Sequence, residues 1–196
     1  MRVHSDEWKE HLRHIEEYLK VIKDSGMTLS LKKCEFGKGQ VKWCGQIVGS
    51  GVRLPDNAKV ACVQTLVRPN TKRELRRILG MFAYFSEYIE NYAEKALAMT
   101  KLTSKNTPEK IPWGENEQRA LDELKAALVK AAQQPLNIID WNKAFEIHCD
   151  ASDHSISGYL EQQTEAGERP IALFSSKLSP AQRKWATIEK EAYAAI

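Results

Sequence analysis

A chain of 196 residues with 42% hydrophobic and 28% charged side chains is long enough to bury a sizeable core and too apolar for disorder on a large scale. The formal net charge of +3 is compatible with a nucleic-acid partner without requiring one, so the placement of the basic residues carries more information than their sum. The N-terminal MRVHSDEWKEHL holds no apolar signal core, and no run approaches the ~20 apolar residues of a membrane span, which predicts an intracellular protein, cytoplasmic or nuclear, with no membrane partner. Cys34, Cys44, Cys62 and Cys149 form no CxxC pair, so reduced thiols are expected rather than a disulfide framework or a cysteine zinc site.

In chain order, Ser5 is placed to cap a helix with Asp6 and Glu7 in its first turn; Trp8, Leu12, Ile15, Leu19 and Ile22 recur at helical spacing until Gly26 stops it. Two extended runs, TLSLKKCEF and QVKWCGQIV, are separated by GKG and closed by GSG, which predicts an antiparallel hairpin between them. After Pro55, DNAKVACVQTLV reads as a short helix ended by RPN. TKRELRRILGMFAYFSEYI then opens with a capping box, Thr71 with Glu74, and sets Leu75, Ile78, Leu79, Phe82, Phe85 and Ile89 on one face. Lys72, Arg73, Arg76 and Arg77, with Arg68 just before, lie on the other face. They are either a solvated face or a row of phosphate contacts.

SKNTPEKIPWGEN, rich in turn formers and charge, is expected to be a linker or boundary. A helix over ENEQRALDELKAALVKAA follows, with Leu121, Leu124 and Leu128 together. The pattern then changes to three strands, AFEIHCDAS, SISGYLEQQ and RPIALFSSKL, and a helix over SPAQRKWATIEKEAYAAI. Alternation in the first strand puts Phe145, Ile147 and Cys149 on one face and Glu146, His148 and Asp150 on the other. In the last helix Trp185, Ile188, Ala192, Ala195 and Ile196 are expected to form the apolar stripe, which would turn Glu191 towards the sheet. A carboxylate directed at a covered surface needs a base, a backbone donor or a metal ion to answer it. Asp150 and Glu191 could converge on one divalent cation, and their hard oxygen donors suit magnesium or manganese.

These residues carry a resemblance. CDASDHSISGYLEQQ, PIALFSSKLS and the IEKEAYAAI end resemble the start of the ribonuclease H domain in the Pol polyprotein of gypsy-type LTR retrotransposons. WCGQIVGSGVRLPDNAKV and RPNTKRELRRILGMFAYFSEYIENYAEKALAMTKL resemble that family's preceding segments, so the motifs, in the family's order, cover essentially the whole chain.

The resemblance implies an α+β chain in four parts: residues 1–54 as the end of a polymerase palm with a primer-gripping hairpin, 55–105 as a helical thumb, 106–143 as the connection, and 144–196 as the first half of a ribonuclease H fold, three antiparallel strands and the first helix. Trp43 and Gly45 fall in the grip motif, and with Arg68, Lys72, Arg73, Arg76 and Arg77 are the implied contacts to an RNA–DNA hybrid or a DNA or RNA duplex. Asp150 matches the family's first metal-binding aspartate and Glu191 its metal-binding glutamate, for Mg2+ or Mn2+ in the full-length enzyme. Cys44 and Gln46 stand where the family has leucine and histidine, and Ser157 and Gly158 replace glycine and alanine.

The polymerase aspartates and the two later ribonuclease H aspartates do not occur at matching positions in these residues, so the chain is expected to be an inactive portion of the enzyme that holds no ion tightly by itself. The alternative is a non-catalytic nucleic-acid-binding or domesticated interaction module.

Overall fold

The computed structural model describes residues 3–164 and 167–196. The first helix, α1 (Trp8–Asp24), is followed by a 3-10 turn at Leu31–Lys33 and three short strands, β1 (Gln40–Trp43), β2 (Gln46–Gly49) and β3 (Val52–Pro55). Helices α2 (Asn57–Gln64), α3 (Lys72–Ala83), α4 (Tyr92–Lys95), α5 (Leu97–Lys101) and α6 (Glu115–Gln133) come next. The chain closes with β4 (Leu136–Asn137), β5 (Glu146–Ala151), β6 (Ser155–Thr164), β7 (Gly167–Lys177) and α7 (Thr187–Ala194). Two antiparallel sheets result, in the orders β1-β2-β3-β4 and β5-β6-β7.

The hairpin differs from the one expected. The run QVKWCGQIV folds on itself, with Trp43 opposite Gln46 and only Cys44 and Gly45 between them. Both of those residues have positive φ, 48° and 75°, as a two-residue turn matching strand twist demands. Ser50 and Gly51 repeat the device at φ 51° and 75°, joining β2 to β3. TLSLKKCEF contributes no strand among the described residues, because a glycine was available to close a tighter turn inside the second run. Ser5 likewise does not cap α1: Glu7 holds that position, and the Ser5 hydroxyl lies 2.7 Å from His14 Nδ1.

The larger core is continuous from α2 to β4. Leu75 and Phe82 of α3, Met99 of α5, and Leu121, Leu124 and Leu128 of α6 are fully buried, with Val63 and Leu136 in the same cluster. Burying a leucine side chain contributes about 1.5–3 kcal/mol, so this apolar stripe of α6 is the main anchor of the helical part. Helix α3 has the expected capping box, Glu74 N–H donating to Thr71 Oγ1 at 3.2 Å and Thr71 N–H to Glu74 Oε2 at 3.3 Å. It ends at Ala83, yet Phe85 and Ile89 remain buried through the 3-10 turn Ser86–Tyr88.

The segment expected to be a linker is pinned instead. Lys72 N–H donates to the Glu109 carbonyl and Ile111 N–H to the Asn70 carbonyl, and Ile111 is buried in the core. Helix α7 is also shorter than the pattern suggests, beginning at Thr187 after a 3-10 turn at Gln182–Lys184. Its buried positions are Lys190 and Ala194, while Ile188 and Ile196 are exposed, so the apolar stripe read from the sequence is not the face that packs. Ala194 joins Ile156 and Leu178, with Cys149 and Ala151 against them, in a second small core.

Candidate nucleic-acid and metal-ion interface

Alternation in β5 is as expected. Cys149 and Ala151 face the second small core and therefore α7, whereas Glu146, His148 and Asp150 belong to the opposite face. Asp150 pairs in register with Ser157, and Ser157 with Ser175, whose hydroxyl accepts from the Ala93 N–H of α4 at 2.9 Å. The Asp150 face thus looks towards the helical part of the molecule. Gly158 sits where β6 passes closest to β5: a Cβ there would come within 2.1 Å of the His148 carbonyl oxygen, so the alanine of the resembled motif does not fit this backbone.

Helix α7 packs on β5 and β6, which puts Glu191 and Asp150 on neighbouring elements. Both carboxylates are exposed, and neither has an ion-pair partner among the described residues. Glu191 does not turn into the covered surface; the neighbouring Lys190 does. Asp150 belongs to the face of β5 opposite the one that α7 covers, and Glu191 occupies an exposed position of α7. Their donors, exposed oxygens answered by no base, have the chemistry a hard divalent cation requires.

Sequence reasoning missed what lies beside them. Lys190 is buried, and its ammonium donates to Asp153 Oδ1 at 2.9 Å. That hydrogen bond, then the lysine charge, holds the Asp153 carboxyl below its ordinary value. Asp153 lies in the loop between β5 and β6, so the pair ties the strand connection next to Asp150 to α7.

The basic row of α3 is partly exposed. Arg68, Arg73, Arg76 and Arg77 are at the surface, and Arg76 Nη2 donates to the Thr103 carbonyl at 3.3 Å. Lys72, grouped with them from its place in the run, is buried at the first turn of α3 and does not belong to the surface row. Gly45 lies in the first tight turn and Trp43, about half exposed, immediately precedes it. Lys59 extends over the Tyr84 ring, 4.8 Å from its centroid, and closes the space beside Gly45.

A third group joins the two sheets. Arg53 Nη1 donates to Glu87 Oε2 at 2.6 Å and Nη2 donates to the Ile171 carbonyl of β7 at 2.9 Å. Gln46 Nε2 donates to the other Glu87 oxygen at 3.0 Å. The guanidinium lies 5.5 Å from the Tyr88 ring centroid. Burial pushes the Tyr88 hydroxyl up to about 12, against the opposing pull of the Arg53 charge.

This geometry has counterparts in known proteins. Residues 113–196 match the model of a family described as the RNase H-like domain found in reverse transcriptase. The chain is 29% identical, over 99% of its length, to the retrovirus-related Pol polyprotein from transposon opus of Drosophila melanogaster, and covers 20% of that protein. It is 27% identical to the transposon Tf2-3 polyprotein of Schizosaccharomyces pombe over 99% of its length and 14% of the polyprotein's. It therefore spans a fifth or less of these relatives.

Among solved structures, the foamy viral protease-reverse transcriptase in complex with RNA/DNA hybrid superposes at TM-score 0.81 and 25% identity, covering 98% of this chain and 26% of that one. The same viral protein in complex with dsDNA gives TM-score 0.76 at 25% identity, over 92% of this chain and 37% of that one. Residues 113–196 are thus similar to the RNase H-like domain of reverse transcriptases. The chain's homologues are retrotransposon Pol polyproteins.

Proposed function

We propose that these residues form the part of a retrotransposon Pol reverse transcriptase that holds the RNA–DNA hybrid between a helical thumb and an RNase H-like domain. The observation that carries this reading is the course of the fold: 98% of the chain follows a reverse transcriptase solved on such a hybrid. In this reading residues 1–54 end a palm, 55–105 are the thumb, 106–143 the connection and 144–196 the first part of the RNase H-like domain. The gypsy-type motif pattern agrees with that order.

Arg68, Arg73, Arg76 and Arg77 then neutralise backbone phosphates without reading sequence. Trp43 and Gly45, at the tip of the first tight turn, lie where a primer end would be gripped. Asp150 and Glu191 are the residues that would hold Mg2+ or Mn2+. When bound, such ions activate the attacking water and stabilise the leaving oxygen of a phosphodiester. The contribution of this chain is oxygen donors, supplied from β5 and α7, and the Asp153–Lys190 pair that keeps the β5–β6 loop against the helix. Two carboxylates do not complete a two-ion site, so further oxygen ligands are needed beside Asp150 and Glu191.

The test is binding of a labelled RNA–DNA hybrid by fluorescence anisotropy across a salt series. The reading expects affinity to fall with salt in proportion to the phosphates contacted, and Arg73→Ala with Arg77→Ala to flatten the slope by about one to two charges. No binding at low salt, or an unchanged slope, contradicts it.

A further inference from the structure

On the polar face of β5, away from Asp150 towards the strand's start, three side chains from two strands come together. His148 Nε2 lies 2.8 Å from Glu161 Oε1 and 3.6 Å from Glu146 Oε1. The three donor atoms lie within 4.8 Å of one another. The register that pairs Glu146 with Glu161 and His148 with Tyr159 brings them there. The ring of His148 is stacked on Tyr159, centroids 4.5 Å apart and planes 16° from parallel, so Nε2 is aimed at the carboxylates by packing.

From this arrangement we infer that Glu146, His148 and Glu161 form a binding site for a divalent transition ion of the zinc class, separate from Asp150 and Glu191. The decisive group is Glu161. Its residue is 7% exposed, and a carboxylate so far desolvated needs a positive partner. Its hydrogen-bond partner among the described residues is the imidazole of the same cluster, with no lysine or arginine in an ion pair with any of the three. Lys95, Lys130 and Arg169 line the same cleft, of about 730 Å³, without pairing with it.

One proton on Nε2 serves Glu161 and leaves Glu146, 3.6 Å from the same atom, beyond hydrogen-bond reach. A divalent ion in place of the proton neutralises both. Zinc takes imidazole nitrogen at ~2.0–2.1 Å and carboxylate oxygen at ~2.0–2.2 Å, which sets donors about 3.4 Å apart around a tetrahedral ion. To reach that, the His148–Glu161 pair opens from 2.8 Å by about 0.6 Å and the exposed Glu146 side chain rotates towards them. A mixed nitrogen and oxygen set selects zinc over magnesium, which prefers oxygen alone. Three protein ligands leave the fourth position to water, supplied through the cleft.

The experiment is isothermal titration of the purified chain with ZnCl2, with the Co2+-loaded absorption spectrum as a second readout. We expect one zinc per chain, affinity lowered about tenfold or more by Glu161→Gln and by His148→Gln, no change with Asp150→Asn, and no competition from Mg2+. Cobalt should show a nitrogen and oxygen environment without thiolate charge transfer. Circular dichroism of each variant confirms that it is folded, and Glu146→Gln, at an exposed position, gives the same direction of change where Glu161→Gln perturbs the strand. The inference is overturned by an absence of zinc binding, by folded Glu146→Gln and His148→Gln variants that bind as the parent does, by a cobalt spectrum of thiolate ligation, or by loss of zinc with Asp150→Asn.

Discussion

Replacing Arg53 with methionine keeps the aliphatic stem and removes the guanidinium that joins β3, the turn before α4, and β7. Two charge-assisted hydrogen bonds disappear, to Glu87 Oε2 at 2.6 Å and to the Ile171 carbonyl at 2.9 Å. Bonds to charged groups contribute about 1.5–3 kcal/mol each, and an orphaned buried acceptor adds about 1–3. Ile171 is almost fully buried, so water does not replace the donor to its carbonyl easily. Glu87 is about a third exposed and keeps the bond from Gln46, which lowers its share. The expected loss is about 3 kcal/mol, or roughly 6–12 °C in Tm for a chain of this size. Urea unfolding of Arg53→Met, Glu87→Gln and the double variant measures it. A coupling of about 1–2 kcal/mol between the two positions is expected. A loss below about 0.5 kcal/mol, or additive single effects, refutes the idea that this contact fastens the second sheet to the rest.

Leu124→Ala removes a fully buried side chain from the α6 stripe and should cost about 3–4 kcal/mol in denaturant unfolding, with the m-value unchanged. The Asp153 carboxyl is held below its ordinary value of 3.8 by Lys190, so the stability it confers is complete above that pH and is lost as pH falls through the lowered folded-state value. Thermal melts of Asp153→Asn against the parent should therefore differ at neutral pH and converge in strong acid; a gap that persists there argues against the pair. Arg68→Ala should weaken hybrid binding equally across sequences, and Lys72→Ala should instead lower Tm, because Lys72 is buried beside the core.

Much of the architecture is legible in the sequence, and the failures have local causes. The capping box of α3 and the leucine spacing of α6 are strong signals because cap and stripe agree; both helices start where expected and α6 ends close to its expected bound, while α3 stops early, at Ala83. The place of the hairpin is ambiguous in the sequence because glycines occur both between the two extended runs and inside the second. Only the positive φ of Cys44, a residue that rarely adopts it, shows which turn closes. The packing face of α7 is not legible because apolar character does not mark burial here: Lys190 is the buried residue and Asp153 answers its charge. The segment before α6 reads as a linker by composition, but its backbone hydrogen bonds to Asn70 and Lys72 depend on partners nearly forty positions earlier. For the same reason Glu146 and His148 were visible as one polar strand face while Glu161 was not: its place beside them is set by strand register, which no local pattern states.

The central claim is that this chain supplies Asp150 to hybrid hydrolysis within a Pol reverse transcriptase. The direct measurement is cleavage of the end-labelled RNA strand of an RNA–DNA hybrid by a Pol reverse transcriptase that contains these 196 residues, as parent and as Asp150→Asn, with primer extension followed in the same samples. Loss of RNA cleavage in the variant with extension unchanged is the predicted result; cleavage at the parent's rate by Asp150→Asn contradicts it.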